Sequence, residues 1–260
     1  MLFSSIMLEK DKERFDMKYK TIIFDMDGTI LDTVGDLQDA INYAMKETGH
    51  RHNFSFEDAK LLFGSGVKVA FQRALALENG APYDALEAIG ATSDGSEFGV
   101  SDDEVERIVA IYKPYYNDHC LIKTGPYPGI NDVIKKCREL GIKTSVVSNK
   151  PEPAVLSLCE DLFPGLFDYA AGEKDGVKRK PAPDLVYECM NALGAEKESS
   201  VYVGDSEIDM QTAVNSGLDC ISVSWGFRSL EFLKAHDANP IVGNSDELLK
   251  ELTKVDGYPF

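Results

Sequence analysis

No run of apolar residues in this 260-residue chain approaches the roughly 20 needed to cross a bilayer, so a membrane-spanning role is not expected. The first residues also lack an apolar core of about 7–15 residues and a small-residue cleavage site. Positive charge is scarce. Lys and Arg number 27 against 44 Asp and Glu, a net charge of -17, and nucleic-acid binding, which wants a basic face, is set aside. The five cysteines (Cys120, Cys137, Cys159, Cys189 and Cys220) form neither a Cys-x-x-Cys pair nor a zinc spacing. Their odd number and long gaps favour reduced thiols in a cytoplasmic protein over a disulfide framework. Internal repeats and low-complexity segments are absent as well. The excess of acid raises one question: an anionic ligand would meet a repulsive mean field unless its site carries local positive charge, from a metal, a Lys or helix N-termini.

What is present is a globular composition, 43% hydrophobic and 27% charged, with alternating strand and helix signals. Thr21-Ile22-Ile23-Phe24 reads as a short buried strand, β-branched and aromatic. Pro128-Gly129 opens a helix over Ile130 to Leu140, with Ile130, Val133, Ile134 and Cys137 on one stripe and Gly141 closing it. A strand over Ile142 to Val147 ends in Ser148-Asn149-Lys150-Pro151. Helices over Pro183 to Leu193 and Ile208 to Ser216, and strands over Ser200 to Val203 and Asp219 to Ser224, continue the rhythm. Such βαβα alternation predicts an α/β fold, a parallel sheet with helices on both faces. Between Thr33 and about Leu121 the pattern is helical only. Leu37, Ala40, Ile41, Ala44 and Met45 follow helical spacing, as do Val67, Ala70, Phe71, Ala74 and Leu75, and Ser101 to Glu104 reads as a capping box. An insert of this size between two strands of one sheet is expected to be a second, all-helical domain. The expected division is an N-terminal extension over 1–16, a core of 17–34 and 120–260, and the insert at 35–119.

Polar residues cluster at the expected strand ends. Asp25 and Asp27 follow the first strand, Ser148 and Asn149 another, Asp205 and Asp209 a third, and Lys180 stands before a helix. Ligands of open α/β sheets bind at the carboxyl ends of the strands. Carboxylates within ~4 Å would repel by about 1–4 kcal/mol per pair at effective dielectrics of 80 to 20, a cost that a bound cation removes. An all-oxygen site suits Mg²⁺ and not zinc. The set is that of a phosphoryl-transfer site. One Asp serves as nucleophile, another two residues on serves as acid and base, and hydroxyls and N–H groups of Thr29 and Ser148 meet the equatorial oxygens, with Lys180 offsetting their charge.

These motifs resemble those of the haloacid dehalogenase superfamily, in its phosphatase branch with a helical cap inserted after the first motif, over about residues 19–248. The resemblance implies a Rossmann-like core, Asp25 as the residue that becomes phosphorylated and Asp27 as general acid and base. It implies Mg²⁺ held by Asp25, the backbone carbonyl of Asp27 and Asp205, with Asp209 orienting the metal waters. Ser148, Asn149 and Lys180 fall in the phosphate-binding second and third motifs. The acid at position 27 argues against dehalogenation and phosphonate hydrolysis. Thr33 to Leu37, Gly64-Ser65-Gly66-Val67 and Ser224 to Phe227 look like phosphoglycolate phosphatases, with 2-phosphoglycolate as first substrate. Gly64, Ser65 and Gly66 either approach the substrate from the cap or form a helix N-terminal turn. Lys68 and Arg73 are read as exposed helix charges in preference to substrate contacts, and His50-Arg51-His52 as a surface turn in preference to a metal pair. The expected partner is a small phosphorylated metabolite, and the expected state a monomer or homodimer. Alternatives are a β-phosphoglucomutase-like phosphotransferase and a non-catalytic phosphate-ligand binding protein.

Overall fold

Four residues, Thr21–Phe24, make the strand on which the molecule is built, β1, and all four are buried. The structure is a computed structural model and describes residues 17–255; the expected extension over 1–16 lies outside them. After β1 come a two-residue strand β2 (Leu31–Asp32) and then helices alone: α1 (Val34–Glu47), α2 (Phe56–Leu62), α3 (Val67–Glu78) and α4 (Asp102–His119). Strand β3 (Gly125–Pro126) returns to pair antiparallel with β2, so the insert leaves and re-enters at one two-stranded neck. The chain then runs α5 (Ile130–Glu139), β4 (Lys143–Pro151), α6 (Glu152–Leu162), β5 (Tyr169–Glu173), α7 (Asp184–Leu193) and β6 (Ser200–Gly204). It finishes with α8 (Glu207–Ser216), β7 (Asp219–Val223), α9 (Leu230–Ala235), β8 (Ile241–Val242) and α10 (Ser245–Leu252).

Six strands form one parallel sheet in the order β5-β4-β1-β6-β7-β8. The chain builds outward from β1 to β4 and β5, then crosses back to β6 on the other side. That puts the reversal of strand order beside β1, the place where such sheets bind ligands. Period-two alternation sends neighbouring residues of a strand to opposite faces. Ile22, Phe24, Val146, Val201 and Val203 pack with α5, α6 and α10, whereas Ile23, Val147 and Tyr202 pack with α7 and α8. Both faces are therefore covered, as the βαβα rhythm predicts.

The helices between β2 and β3 bury a cluster of their own, including Leu37, Ile41, Phe54, Phe71, Ile108 and Tyr112, joined from the sheet side by Phe227. Full burial of side chains of this size contributes about 1.5–3 kcal/mol each, enough to make the layer cohesive. Arg73, expected to be an exposed helix charge, is 2% exposed inside this layer. Its guanidinium donates to the carbonyls of Leu61, Leu62 and Ile89 and to Ser65 Oγ, which satisfies the charge without an acid. Ser101 caps α4 through Glu104 N, but the Glu104 carboxylate turns to Arg107 and His50 instead of closing the box. His50 is paired to Glu78 and Glu104, 2.8 and 2.6 Å away. Strand β4 is the other departure: it runs to Pro151, past the expected end at Val147, with its register to β5 shifting between those two residues.

Candidate active site

Beyond Phe24 the chain makes one more sheet bond, Asp25 N to Val203 O at 2.8 Å, and then turns sharply. Thr29, Ile30 and Leu31 all donate their N–H to Met26 O, and Gly28 N donates to Leu31 O. Gly28 has φ +85°, a conformation that disfavours L side chains, and a Cβ there would lie 2.4 Å from Asp205 Oδ2. The glycine thus serves both the turn and the approach of the acid that follows β6. Asp205 is held at its two oxygens by Thr29 Oγ1 (3.2 Å) and Phe227 N (2.6 Å). Asp209 sits at the start of α8, where its Oδ2 accepts from Asp205 N, Ser206 N and Ser206 Oγ.

Oxygen atoms of Asp25, Asp205 and Asp209 all lie within 4.8 Å of one another, and all three residues are buried. One cation stands among them. Lys180 Nζ donates to Asp25 Oδ1 at 2.6 Å, to Asp209 Oδ1 at 2.8 Å and to Tyr202 Oη at 3.1 Å. Tyr202 Oη in turn donates to Val147 O, and Asn149 Nδ2 holds the Lys180 carbonyl at 3.1 Å. Burial pushes the Asp25 carboxyl up to about 7, with Lys180 pulling against it and Asp209 adding to the rise. Asp205 is pushed well above the usual carboxylate range by burial and then by Asp209 and Asp25. Burial opposes the charge on Lys180, yet Asp209 and Asp25 hold its ammonium well above the ordinary value. Three buried acids facing one buried ammonium make a donor set of hard oxygens with negative charge to spare, which fits a small divalent cation.

Asp27 points elsewhere. Both its oxygens accept from Lys150 Nζ, at 3.0 and 3.1 Å, and the same nitrogen donates to Tyr116 Oη of α4 at 2.7 Å. Asp25, Asp27, Ser148, Asn149, Lys150 and Lys180 form the sheet side of a cavity of about 70 Å³. Leu37, Phe63, Gly64, Gly66, Val67, Tyr112, Tyr116 and Phe227 are among the residues that wall the rest of it.

The sequence pattern of the haloacid dehalogenase-like hydrolase family matches residues 22–223. This chain belongs to that family. A phosphoglycolate phosphatase of Pseudomonas syringae pv. syringae is 30% identical over 210 residues, 80% of this chain and 70% of that one. A crystal structure from Lactobacillus delbrueckii subsp. bulgaricus, provisionally named phosphoglycolate phosphatase, shares 54% identity with a TM-score of 0.88, covering 91% of this chain and 99% of its own. A more distant neighbour is CbbY of Rhodobacter sphaeroides, solved with phosphate, at 25% identity and a TM-score of 0.60 over 88% of this chain and 96% of its own.

Within this hydrolase, Asp25 after β1 and Asp205 and Asp209 after β6, acids expected at two strand ends, come together, and Lys180 joins them from the loop before α7. Three other candidates are occupied differently from a direct phosphate contact. The Thr29 hydroxyl lies on Asp205, the Asn149 amide on the Lys180 carbonyl, and the Ser65 hydroxyl accepts from Arg73 Nη2 at 3.2 Å. Gly64 and Gly66 do line the cavity, with positive φ at both. Lys68 is half exposed and meets Asp102 and Glu106 at the surface. The residues that sequence reasoning missed are Lys150 and Tyr116. Lys150 lies beyond the expected end of β4 at Val147, and ending that strand four residues too early conceals that its side chain is delivered to the cavity by a strand.

Proposed function

We propose that this hydrolase is a Mg²⁺-dependent phosphatase of a small-metabolite phosphomonoester, 2-phosphoglycolate first, working through a phosphorylated Asp25. The observation that carries the reading is the convergence of Asp25, Asp205 and Asp209 around Lys180 at the carboxyl ends of β1 and β6. The relatives named phosphoglycolate phosphatase and the phosphate-bound neighbour support the substrate class.

In this reading an Asp25 oxygen attacks phosphorus as the bond to the substrate's alkoxide breaks, and Asp27 gives its proton to that alkoxide. Asp27 then takes a proton from water, whose oxygen attacks phosphorus and breaks the bond to Asp25, releasing inorganic phosphate. Lys180 neutralises the phosphoryl oxygens beside Asp25, and Ser148 offers them its hydroxyl. Asp25, the Asp27 carbonyl and Asp205 would hold Mg²⁺, with Asp209 ordering its waters: Oδ2 of Asp209 is taken by the Asp205 N–H and by Ser206, while Oδ1 accepts from Lys180 and keeps a lone pair for a water. When bound, the ion supplies the positive charge that two negative phosphoryl oxygens need in an acidic site. The helical layer, residues 35–119, acts as a cap that excludes bulk water and selects the substrate. The five cysteines, all free, agree with a cytoplasmic setting. No helix among the described residues is long and apolar enough to cross a membrane.

The test is a panel of phosphorylated metabolites ranked by kcat/KM, with EDTA and added Mg²⁺ as controls. Release of free phosphate, best from 2-phosphoglycolate and abolished by EDTA, supports the reading; isomerised sugar phosphate favours the transferase. Asp25→Asn should abolish both turnover and an acid-stable phosphoenzyme, and appreciable residual activity would place the nucleophile elsewhere.

A further inference from the structure

We propose that Lys150 is a positioning residue that couples the helical layer to Asp27, an inference that rests on the reading of Asp27 as proton donor and acceptor. Lys150 is 6% exposed, and its ammonium bridges two parts of the fold. On one side it donates to both oxygens of Asp27, in the turn after β1. On the other it donates to Tyr116 Oη and lies 4.8 Å from the centre of the Tyr116 ring. Tyr116 cannot simply follow Lys150. Its ring is stacked on Tyr112 with centroids 5.3 Å apart and planes 10° from parallel, and Tyr112 is 1% exposed in the buried cluster of the helical layer. Lys150, Asp27 and Tyr116 line one cavity together with Asp25.

The two buried lysines of the cavity therefore differ in what they depend on. Every hydrogen-bond partner of Lys180 Nζ (Asp25, Asp209 and Tyr202) belongs to the sheet side, so its charge stands beside Asp25 wherever the helical layer is. Lys150 takes one of its partners from α4. A lysine is a flexible stem with a rotatable three-donor head, and an ammonium held at both ends has far fewer orientations than one held at a single end. Seating Tyr116 fixes the Lys150 head, and that head fixes the plane of the Asp27 carboxylate toward the cavity. Proton transfer depends steeply on such placement. The acid–base group is thus aligned only when Tyr116 of α4 is seated on Lys150.

The test compares kcat/KM for two phosphates of similar size. Ethyl phosphate needs a proton on its leaving group; acetyl phosphate releases acetate without one. Lys150→Met should lower kcat/KM for ethyl phosphate roughly 10- to 100-fold and leave acetyl phosphate within about threefold. Tyr116→Phe, which keeps the ring and removes the hydroxyl, should move the ratio in the same direction by a smaller factor. Equal losses on both substrates would mean a structural role for Lys150 and overturn the proposal. A shifted ratio in Lys150→Met with none in Tyr116→Phe would overturn the link to the helical layer. Asp27→Asn separates the two levels: if it leaves the ratio unmoved, the reading of Asp27 fails, and if it shifts the ratio while Lys150→Met does not, only the coupling fails.

Discussion

Gly226 is not among the residues lining the cavity, yet replacing it with Ala should disable the enzyme. A Cβ at this position would lie 2.4 Å from Asp205 Cβ, 2.4 Å from Asp205 Oδ2 and 2.4 Å from the Gly28 carbonyl oxygen. Ordinary contact begins near 3.4 Å, so the methyl group must open a gap of about 1 Å (3.4 − 2.4) on one side or the other. Neither side yields readily. The Gly28 carbonyl belongs to a turn closed by four backbone hydrogen bonds to Met26 and Leu31, and Asp205 Oδ2 is held by Phe227 N at 2.6 Å. Overpacking of this kind costs about 1–3 kcal/mol, well short of a typical domain's ~5–15 kcal/mol, so the variant folds. At about 2–4 °C per kcal/mol for a chain this size, Tm should fall by about 2–12 °C. A displacement of about 1 Å in an aligned site costs on the order of 100-fold in rate, far more than the small unfolded fraction could. The assay is kcat/KM together with the Mg²⁺ concentration for half activation, read beside Tm. The control is Gly125→Ala, whose added Cβ meets nothing within 4 Å. Full activity with an unchanged Tm in Gly226→Ala would refute the reasoning, because it would mean that Asp205 need not stand where it does.

Two further predictions concern the helical layer. Arg73→Met removes the donor shared by the carbonyls of Leu61, Leu62 and Ile89, and leaving buried acceptors bare should cost about 2–4 kcal/mol in denaturant unfolding; a loss under about 0.5 kcal/mol would contradict the buried-cation account. Hydrogen bonds from Arg107 and then His50 hold Glu104 down to about 2 from its ordinary 4.5. A carboxyl depressed in this way adds stability that is complete above its unfolded value and disappears as pH falls toward 2. Glu104→Gln should therefore flatten the decline of Tm between those two values, and a decline parallel to the unmutated protein's would exclude the contribution.

Punctuation made the centre of the fold readable from sequence. Gly129 and Gly141 bracket α5, Gly194 and Gly217 end α7 and α8 in left-handed conformation, and the apolar runs between them could only be buried strands. With those strands in place, Asp25 and Asp205 had to end up on the same edge. Elements with weak local signals stayed hidden. Strand β5, Tyr-Ala-Ala-Gly-Glu, carries no β-branched residue and sits at the sheet's edge, where pairing with β4 alone defines it. Strand β8 has two residues and α2 only seven, too few for any periodicity to emerge. The burial of Arg73 was invisible for another reason: its partners are main-chain carbonyls, which every residue supplies. The Asp27–Lys150–Tyr116 chain joins residues 123 and 34 positions apart, and no local pattern encodes that contact.

A strongly acidic protein that binds an anion must solve the problem locally, and the distribution of charge at the cavity suggests how. Asp25, Asp27, Asp205 and Asp209 face Lys150 and Lys180, four carboxylates against two ammonium groups, a formal balance of −2. Burial already resists that balance, pushing Asp25 and Asp205 toward the protonated form. A divalent cation would bring the formal sum to zero and let both acids ionise, and an ionised Asp25 is what a nucleophile requires. The same ion would make the phosphoryl group's charge tolerable in a chain of net charge −17. Metal binding and substrate binding are then linked through one shared deficit of positive charge. Phosphate should bind more weakly without Mg²⁺, and Mg²⁺ more tightly with phosphate, by the same factor in each direction.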